Sequence, residues 1–230
     1  MEPIPESLEV LTRLSATAEV DLVAELKDAA ARVVEAAPDC VGLSIAWFDE
    51  GLTFSLLTTS DDLRVIDAAQ YLEGGPCEVA ALDAEAVDLG DILDEQRWQL
   101  FGTAAAATGV RSSLSLPLRH GGTVYGSINF YGSTTDTFSG SQGALARMFG
   151  AAVEEAVANA DLSMASVRRA RGAVEALEDR DKVNKAIGAL AVRENISVEE
   201  ARERIQDAAD RAGASLSAVA DLVLTQRRTL

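Results

Sequence analysis

The chain is 230 residues long, 48% hydrophobic, and carries 37 Asp and Glu against 20 Lys and Arg, a formal net charge of −17. That length suits two domains, and no stretch approaches the ~20 continuous apolar residues of a membrane helix, which excludes a segment of that kind and predicts a soluble protein without a membrane partner. The charge is uneven: residues 161–230 hold 12 basic and 12 acidic side chains, leaving 8 and 25 to residues 1–160, so all the net negative charge lies in the first part and the neutral end can still carry a basic face for nucleic acid.

Met1 to Val10 is acidic and lacks the basic start and apolar core of a secretion signal. With only two cysteines, Cys40 and Cys77, there is no disulfide framework, and the expected setting is a reducing cytoplasm. An Ala-rich amphipathic stretch from Leu8 to Ala36 reads as helix and stops at Pro38. Residues 41–49 and 52–59 alternate large and small side chains around Glu50-Gly51 and read as a hairpin. Residues 112–118 and 124–131 form a second one around Arg119-His120-Gly121-Gly122. Four antiparallel strands with helices before, between and after predict an α+β sandwich.

Strand alternation gives the second hairpin two different faces. Leu114, Leu116, Leu118, Ile128 and Phe130 make one; Ser113, Ser115, Tyr125, Ser127, Asn129 and Tyr131 make the other. The small polar face either lines a ligand cavity or lets Ala-rich helices such as that of Ala144, Ala151 and Ala152 approach closely. Ser115, Tyr125, Ser127, Asn129 and Tyr131 are the ligand-pocket candidates.

Catalytic chemistry is sparse. His120 is the only histidine and falls in a turn, so neither a Ser/His/Asp triad nor a multi-His metal site can be assembled. Cys77 follows Gly-Pro and reads as a small packing residue rather than a nucleophile, and Trp47 and Trp98 read as core aromatics. No catalytic residue, metal or cofactor is implied.

From Ser139 onward, Leu145, Phe149, Ala152, Ala156, Ala160, Met164, Val167, Ala170, Val174 and Leu177 recur at steps of three and four without a proline. This predicts one helix over thirty residues long, running out of the first domain. Such a stripe exceeds what one small domain covers, so a homodimer through a coiled coil is expected, the alternative being a fold-back on the Leu8–Ala36 helix.

The final segment shows three apolar stripes: Val183, Ala186, Ile187, Leu190; then Val198, Ala201, Ile205, Ala208; then Leu216, Val219, Ala220, Val223. They predict a three-helix bundle broken at Asn195-Ile196-Ser197 and Gly213-Ala214-Ser215. Ser197 and Glu200 have capping-box spacing, and Gly213 suits a left-handed helix end. No aromatic residue follows Phe149, so this bundle offers no base-stacking platform.

Two family resemblances follow. The order Gly74-Gly75-Pro76-Cys77, Arg97-Trp98-x-x-Phe101, Gly109-Val110-Arg111-Ser112, Ser115-Leu116-Pro117-Leu118 and Gly126-Ser127-Ile128-Asn129-Phe130-Tyr131 resembles GAF domains of the kind fused to ANTAR domains in actinobacteria. Arg180, Val183, Ala186, Gly188, Ser197, Ala201, Leu216, Val219 and Ala220 resemble the ANTAR pattern itself. The pattern's Lys after the alanine is here Ile187, its Arg on the second helix is Gln206, and its Asn and Lys before the third helix are Gly213 and Ser215. Each change removes a polar or cationic group.

The resemblance implies a GAF-like sensor over residues 1–160, a connecting helix over 161–179, and an ANTAR-like bundle over 180–228. It implies a transcription antitermination regulator that takes a small ligand or signalling protein at the first domain and RNA at the last. Arg180, Lys182, Lys185, Arg193 and Arg202 are the RNA-binding candidates, Arg180 by matching the pattern and the others as cations on the same helices. The alternative is a regulatory dimerisation or docking protein whose bundle has lost RNA binding. A third class, a GAF-based methionine sulfoxide reductase, requires a reactive Cys77.

Overall fold

The computed structural model describes residues 1–14, 22–49, 52–159 and 180–225. A five-stranded sheet stands at the centre of the N-terminal unit, built from β1 (Cys40–Asp49), β2 (Leu52–Thr58), β3 (Val87–Leu89), β4 (Ser112–His120) and β5 (Thr123–Gly132) in the order β2-β1-β5-β4-β3. Every neighbouring pair is antiparallel. The two expected hairpins are present; the fifth strand, only three residues long, is too short for an alternation to register. Gly121 and Gly122 link β4 to β5 with φ of 57° and 86°, the positive pair that a two-residue hairpin turn needs and glycine supplies without strain.

Helices cover both faces. Behind the apolar face lie α1 (Pro5–Leu14), α2 (Leu22–Ala36) and α6 (Gln142–Asn159). There Leu114, Leu116, Leu118, Ile128 and Phe130 pack with Val33, Phe138, Leu145 and Phe149 in one core. Phe130 meets Phe149 edge-on at 5.5 Å. The Ala-rich helix that carries Leu145 and Phe149 therefore covers the apolar face, not the polar one. The continuation of its stripe to Leu177 lies outside the described residues, as do the middle of the Leu8–Ala36 stretch and the Glu50-Gly51 turn.

The polar face lies under α3 (Asp61–Glu73) and α4 (Pro76–Asp83), with α5 (Gln99–Ala107) packed against α3. Ser60 caps α3 by accepting from the Asp62 N–H at 3.3 Å, and Pro76 opens α4 at a position where its missing N–H costs nothing. Residues 66–72 of α3 are all buried, seven in succession. A helix lying on one surface buries only a stripe, so α3 must be covered on its outer side too.

The cover is the C-terminal bundle: α7 (Arg180–Glu194), α8 (Val198–Ala212) and α9 (Leu216–Thr225). Its borders fall as the capping signals predict. Ser197 Oγ accepts from the Glu200 N–H at 3.0 Å, and Gly213 ends α8 at φ 67°. Helix α8 packs along α3, and the buried apolar residues of α3 to α5 run without interruption into those of the bundle.

Candidate functional site

Three residues of α3, Asp67, Gln70 and Tyr71, share one side of the helix at spacings of three and four and point onto the polar face of the sheet. All three are buried. Three hydroxyls donate to the Asp67 carboxylate: Ser44 at 3.0 Å, Ser55 at 2.5 Å and Tyr131 at 2.9 Å. A carboxylate that only accepts is the partner such a donor set calls for. With the Ser55 proton committed to Asp67, the Tyr71 hydroxyl donates to Ser55 Oγ at 2.9 Å. Beyond Ser44 the chain of bonds continues, Asn129 Nδ2 donating to Ser44 Oγ at 3.1 Å and Ser115 Oγ to Asn129 Oδ1 at 2.8 Å. Gln70 ties the same cluster to α4: its Nε2 donates to the Tyr131 hydroxyl at 3.2 Å and its Oε1 accepts from the Cys77 N–H at 2.9 Å. A Cβ at Gly75 would run into the Gln70 side chain, so this glycine is what lets α4 start so close to α3.

Four of the five pocket candidates, Ser115, Ser127, Asn129 and Tyr131, fall on this face and are fully buried. The Ser127 hydroxyl lies beside the Cys77 thiol and has no oxygen or nitrogen partner among the described residues. Tyr125 goes elsewhere. Leu118 pairs with Gly126 but Arg119 with Val124, so Tyr125 is the extra residue of a β-bulge and the alternation slips by one. Its ring joins the apolar face, 5.8 Å from that of Trp47. His120 is the half-buried end of β4 rather than a turn residue.

Burial pushes the Cys77 thiol up to about 12, with the Asp67 charge adding to the shift. A thiol that holds its proton so tightly is a poor nucleophile at neutral pH. The Tyr71 and Tyr131 hydroxyls are likewise raised, by burial first and then by nearby Cys77 and Asp67, and act as hydrogen-bond donors. No group of three or more His, Cys, Asp or Glu suited to a metal occurs among the described residues.

The bundle candidates divide. Lys185 and Arg202 are exposed, Arg202 reaching Asn184 Oδ1 at 3.4 Å. Lys182 Nζ donates to Asp221 Oδ2 at 2.9 Å and to Ser217 Oγ at 3.1 Å, joining α7 to α9. Arg193 pairs with Glu73 of α3 and with Glu194 at 2.9 Å. Arg180 opens α7, and its side chain lies outside the described atoms. Ile187, which stands where the family pattern has lysine, is 1% exposed and packs in the bundle core with the rest of its apolar stripe. Gln206 does face solvent. Ser215 serves a helix start, accepting from the Ala218 N–H at 3.1 Å.

Two family profiles match the chain. The profile described as GAF domain matches residues 23–158, and the one described as ANTAR domain matches residues 171–224. The chain belongs to the GAF domain family, with an ANTAR domain following. No match is found among curated proteins. Solved structures similar to the GAF domain include a domain of a putative two-component sensor histidine kinase from Sinorhizobium meliloti 1021, at 17% identity over 58% of this chain and 91% of that one, with a TM-score of 0.45. The GAF domain of an Acinetobacter phosphoenolpyruvate-protein phosphotransferase is 17% identical over 67% and 94%, TM-score 0.43. A free methionine-R-sulfoxide reductase from Neisseria meningitidis, solved with its substrate, is 20% identical over 66% and 90%, TM-score 0.41.

Sequence reasoning missed Asp67, Gln70 and Tyr71. Their signal was present, as polar residues at i, i+3 and i+4 inside the otherwise apolar run Ile66–Leu72. Arg211 was missed as well, because a cation four residues after Asp207 reads as an ordinary solvated pair.

Proposed function

We propose that this chain is a signal-responsive regulator of transcription antitermination, in which the GAF domain takes a small ligand or signalling partner and the ANTAR domain takes paired RNA. The observation that carries this reading is the succession of the two domains on one chain. The polar cluster around Asp67, Asn129 and Ser115 is the part of the GAF domain with the hydrogen-bonding capacity to respond to a ligand. Among the candidate cations of the ANTAR helices, Lys185 and Arg202 are exposed and form no ion pair with a carboxylate among the described residues, and phosphates can pair with them. The reading carries with it a non-enzymatic role, a cytoplasmic setting, and a homodimer through the outer part of the stripe toward Leu177, since Leu145 and Phe149 at its start are buried in the chain's own core. It also takes residues 1–160 as sensor, 161–179 as connector and 180–228 as effector.

A second reading has its own support: Lys182 and Arg193 are spent on Asp221 and Glu73, and Ile187 is core. Under it the bundle is a docking module and RNA plays no part. Binding of paired-hairpin RNA as a function of salt separates the two. On the RNA reading, Lys185→Ala and Arg202→Ala each weaken binding and lower the slope of log K against log salt by about one. Binding that is absent, or insensitive to both changes, rejects the RNA reading. Light scattering tests the dimer, which a monomeric chain at micromolar concentration would exclude.

A further inference from the structure

The guanidinium of Arg211, on the ANTAR helix α8, lies inside the GAF domain, and the residue is 5% exposed. Its Nε donates to the Thr53 carbonyl of β2 at 2.6 Å, its Nη1 to the Tyr71 carbonyl at 3.3 Å, and its Nη2 to the Glu78 carboxylate of α4 at 2.8 Å. Asp207, one turn earlier on α8, completes the set at 3.3 Å. The guanidinium plane also covers the Tyr71 ring at 4.5 Å. One side chain of the effector domain thus grips a strand, the end of α3 and the start of α4. Around it α8 buries mainly alanines, with Ile205, so Arg211 is the long side chain that crosses to the GAF domain.

What Arg211 grips is the end of the buried cluster. Ser115, Asn129, Ser44, Asp67, Ser55 and Tyr71 form one unbroken series of hydrogen bonds, and the ring that ends the series is the one Arg211 covers. We propose that Arg211 is a latch: it holds the ANTAR bundle closed on the GAF domain, and the state of the Asp67 cluster sets how firmly it holds. This deepens the signal-responsive reading above and rests on it. A ligand or partner that draws Asp67 or Asn129 into new hydrogen bonds shifts Tyr71 and the β2 backbone beneath the guanidinium. Burial of a charge is favourable only while every partner stays in place, so a small displacement there suffices to favour release.

Closure does not hide the whole bundle. Arg202 is nine residues before Arg211, about half a turn around α8 at ~100° per residue, and stays exposed. Release therefore frees two cations from GAF-domain partners, Arg211 itself and Arg193, the latter keeping Glu194.

Amide hydrogen exchange on the full chain tests the latch without reference to RNA. Arg211→Met keeps the apolar stem and removes the grip; Glu78→Gln weakens it from the GAF side and serves if the first variant folds poorly. Either variant is expected to raise exchange about 5-fold or more in α3 and α8, within the usual range of coupling between sites, while α2 and α6 keep their protection. Tyr71→Phe retains the ring and the carbonyl and removes only the hydroxyl bond to Ser55. It is expected to raise exchange in α8 as well, and combined with Arg211→Met to add less than its own separate effect. Unchanged protection of α8 in both Arg211→Met and Glu78→Gln overturns the latch. Full additivity of Tyr71→Phe with Arg211→Met overturns its connection to the Asp67 cluster. In a parallel RNA titration, Arg211→Met, which frees only Arg193, is expected to steepen the salt slope by about one. If no RNA is bound by any form while the exchange results hold, the antitermination reading fails and the latch stands.

Discussion

The two faces of the GAF sheet are made by the same strands and differ in nearly everything else. On one, Leu114, Leu116, Ile128 and Phe130 meet the aromatic rings of Phe138 and Phe149, a surface whose stabilisation is roughly proportional to buried area and carries no hydrogen-bond direction. On the other, Ser44, Ser55 and Tyr131 donate to Asp67, Asn129 and Ser115 extend the series from Ser44, and each group has a small number of partners in fixed directions. Apolar contact holds the domain together. Directional contact makes the second face sensitive to what is bonded to it, since a buried polar group that loses its partner is heavily penalised. The ANTAR bundle is docked on the sensitive side, behind α3, and not on the inert one.

The largest separation between the faces should come from truncating an aromatic. Phe130→Ala removes a fully buried ring among two others and is expected to cost about 3–5 kcal/mol in urea unfolding of the full chain. A cost under about 1 kcal/mol would mean that this face is not the anchor of the domain. On the docked side, Ile187→Lys is expected to be of comparable size, about 3–5 kcal/mol for an uncompensated buried charge, and to appear as lost helical circular dichroism in the bundle. A variant that stays fully folded would place residue 187 at the surface. Tyr131→Phe removes one donor to Asp67 and the acceptor of Gln70 while keeping the ring, and is expected to cost about 1–3 kcal/mol, less than Phe130→Ala.

The smallest effect is a pH dependence at the junction. Burial holds the Glu73 carboxyl above its usual 4.5, an effect that Arg193 opposes and Glu194 adds to. A raised acid binds its proton more tightly in the folded chain than in the unfolded one, so its stabilising contribution is present below 4.5 and is lost as the pH climbs through the folded value. Glu73→Gln removes that loss. Relative to the parent, the variant's Tm should rise between pH 4.5 and pH 7; a difference that is flat or falls over that interval would show that the ion pair with Arg193 outweighs the burial.

Periodicity and turn chemistry made much of the fold legible. The alternating runs of β4 and β5, the paired glycines between them, Ser197 as a cap and Gly213 as a stop all act within a few residues of themselves, and each element formed where its local signal lay. The same holds for Ser115, Ser127, Asn129 and Tyr131, which alternation alone places on one face. Tyr125 was misplaced because a bulge is a property of two strands in register, invisible in either one. The β3 strand exists because β4 offers it an edge.

Composition, hydrophobic period and capping residues, being local, were sufficient to determine two domains, an antiparallel sheet with one apolar and one polar face, and a three-helix bundle. Which helices cover which face was decided only in three dimensions, because covering a face depends on surfaces brought together from distant parts of the chain. Asp67 became the centre of a cluster only when β1, β2 and β5 delivered Ser44, Ser55 and Tyr131 to it, across separations of 23, 12 and 64 residues. Arg211 reads in sequence as one more cation on a polar helix. Burial beneath its own chain's first domain, 158 residues from the Thr53 carbonyl it grips, is a fact of tertiary packing, since the energy of a guanidinium depends on which groups surround it and not on which residues precede it.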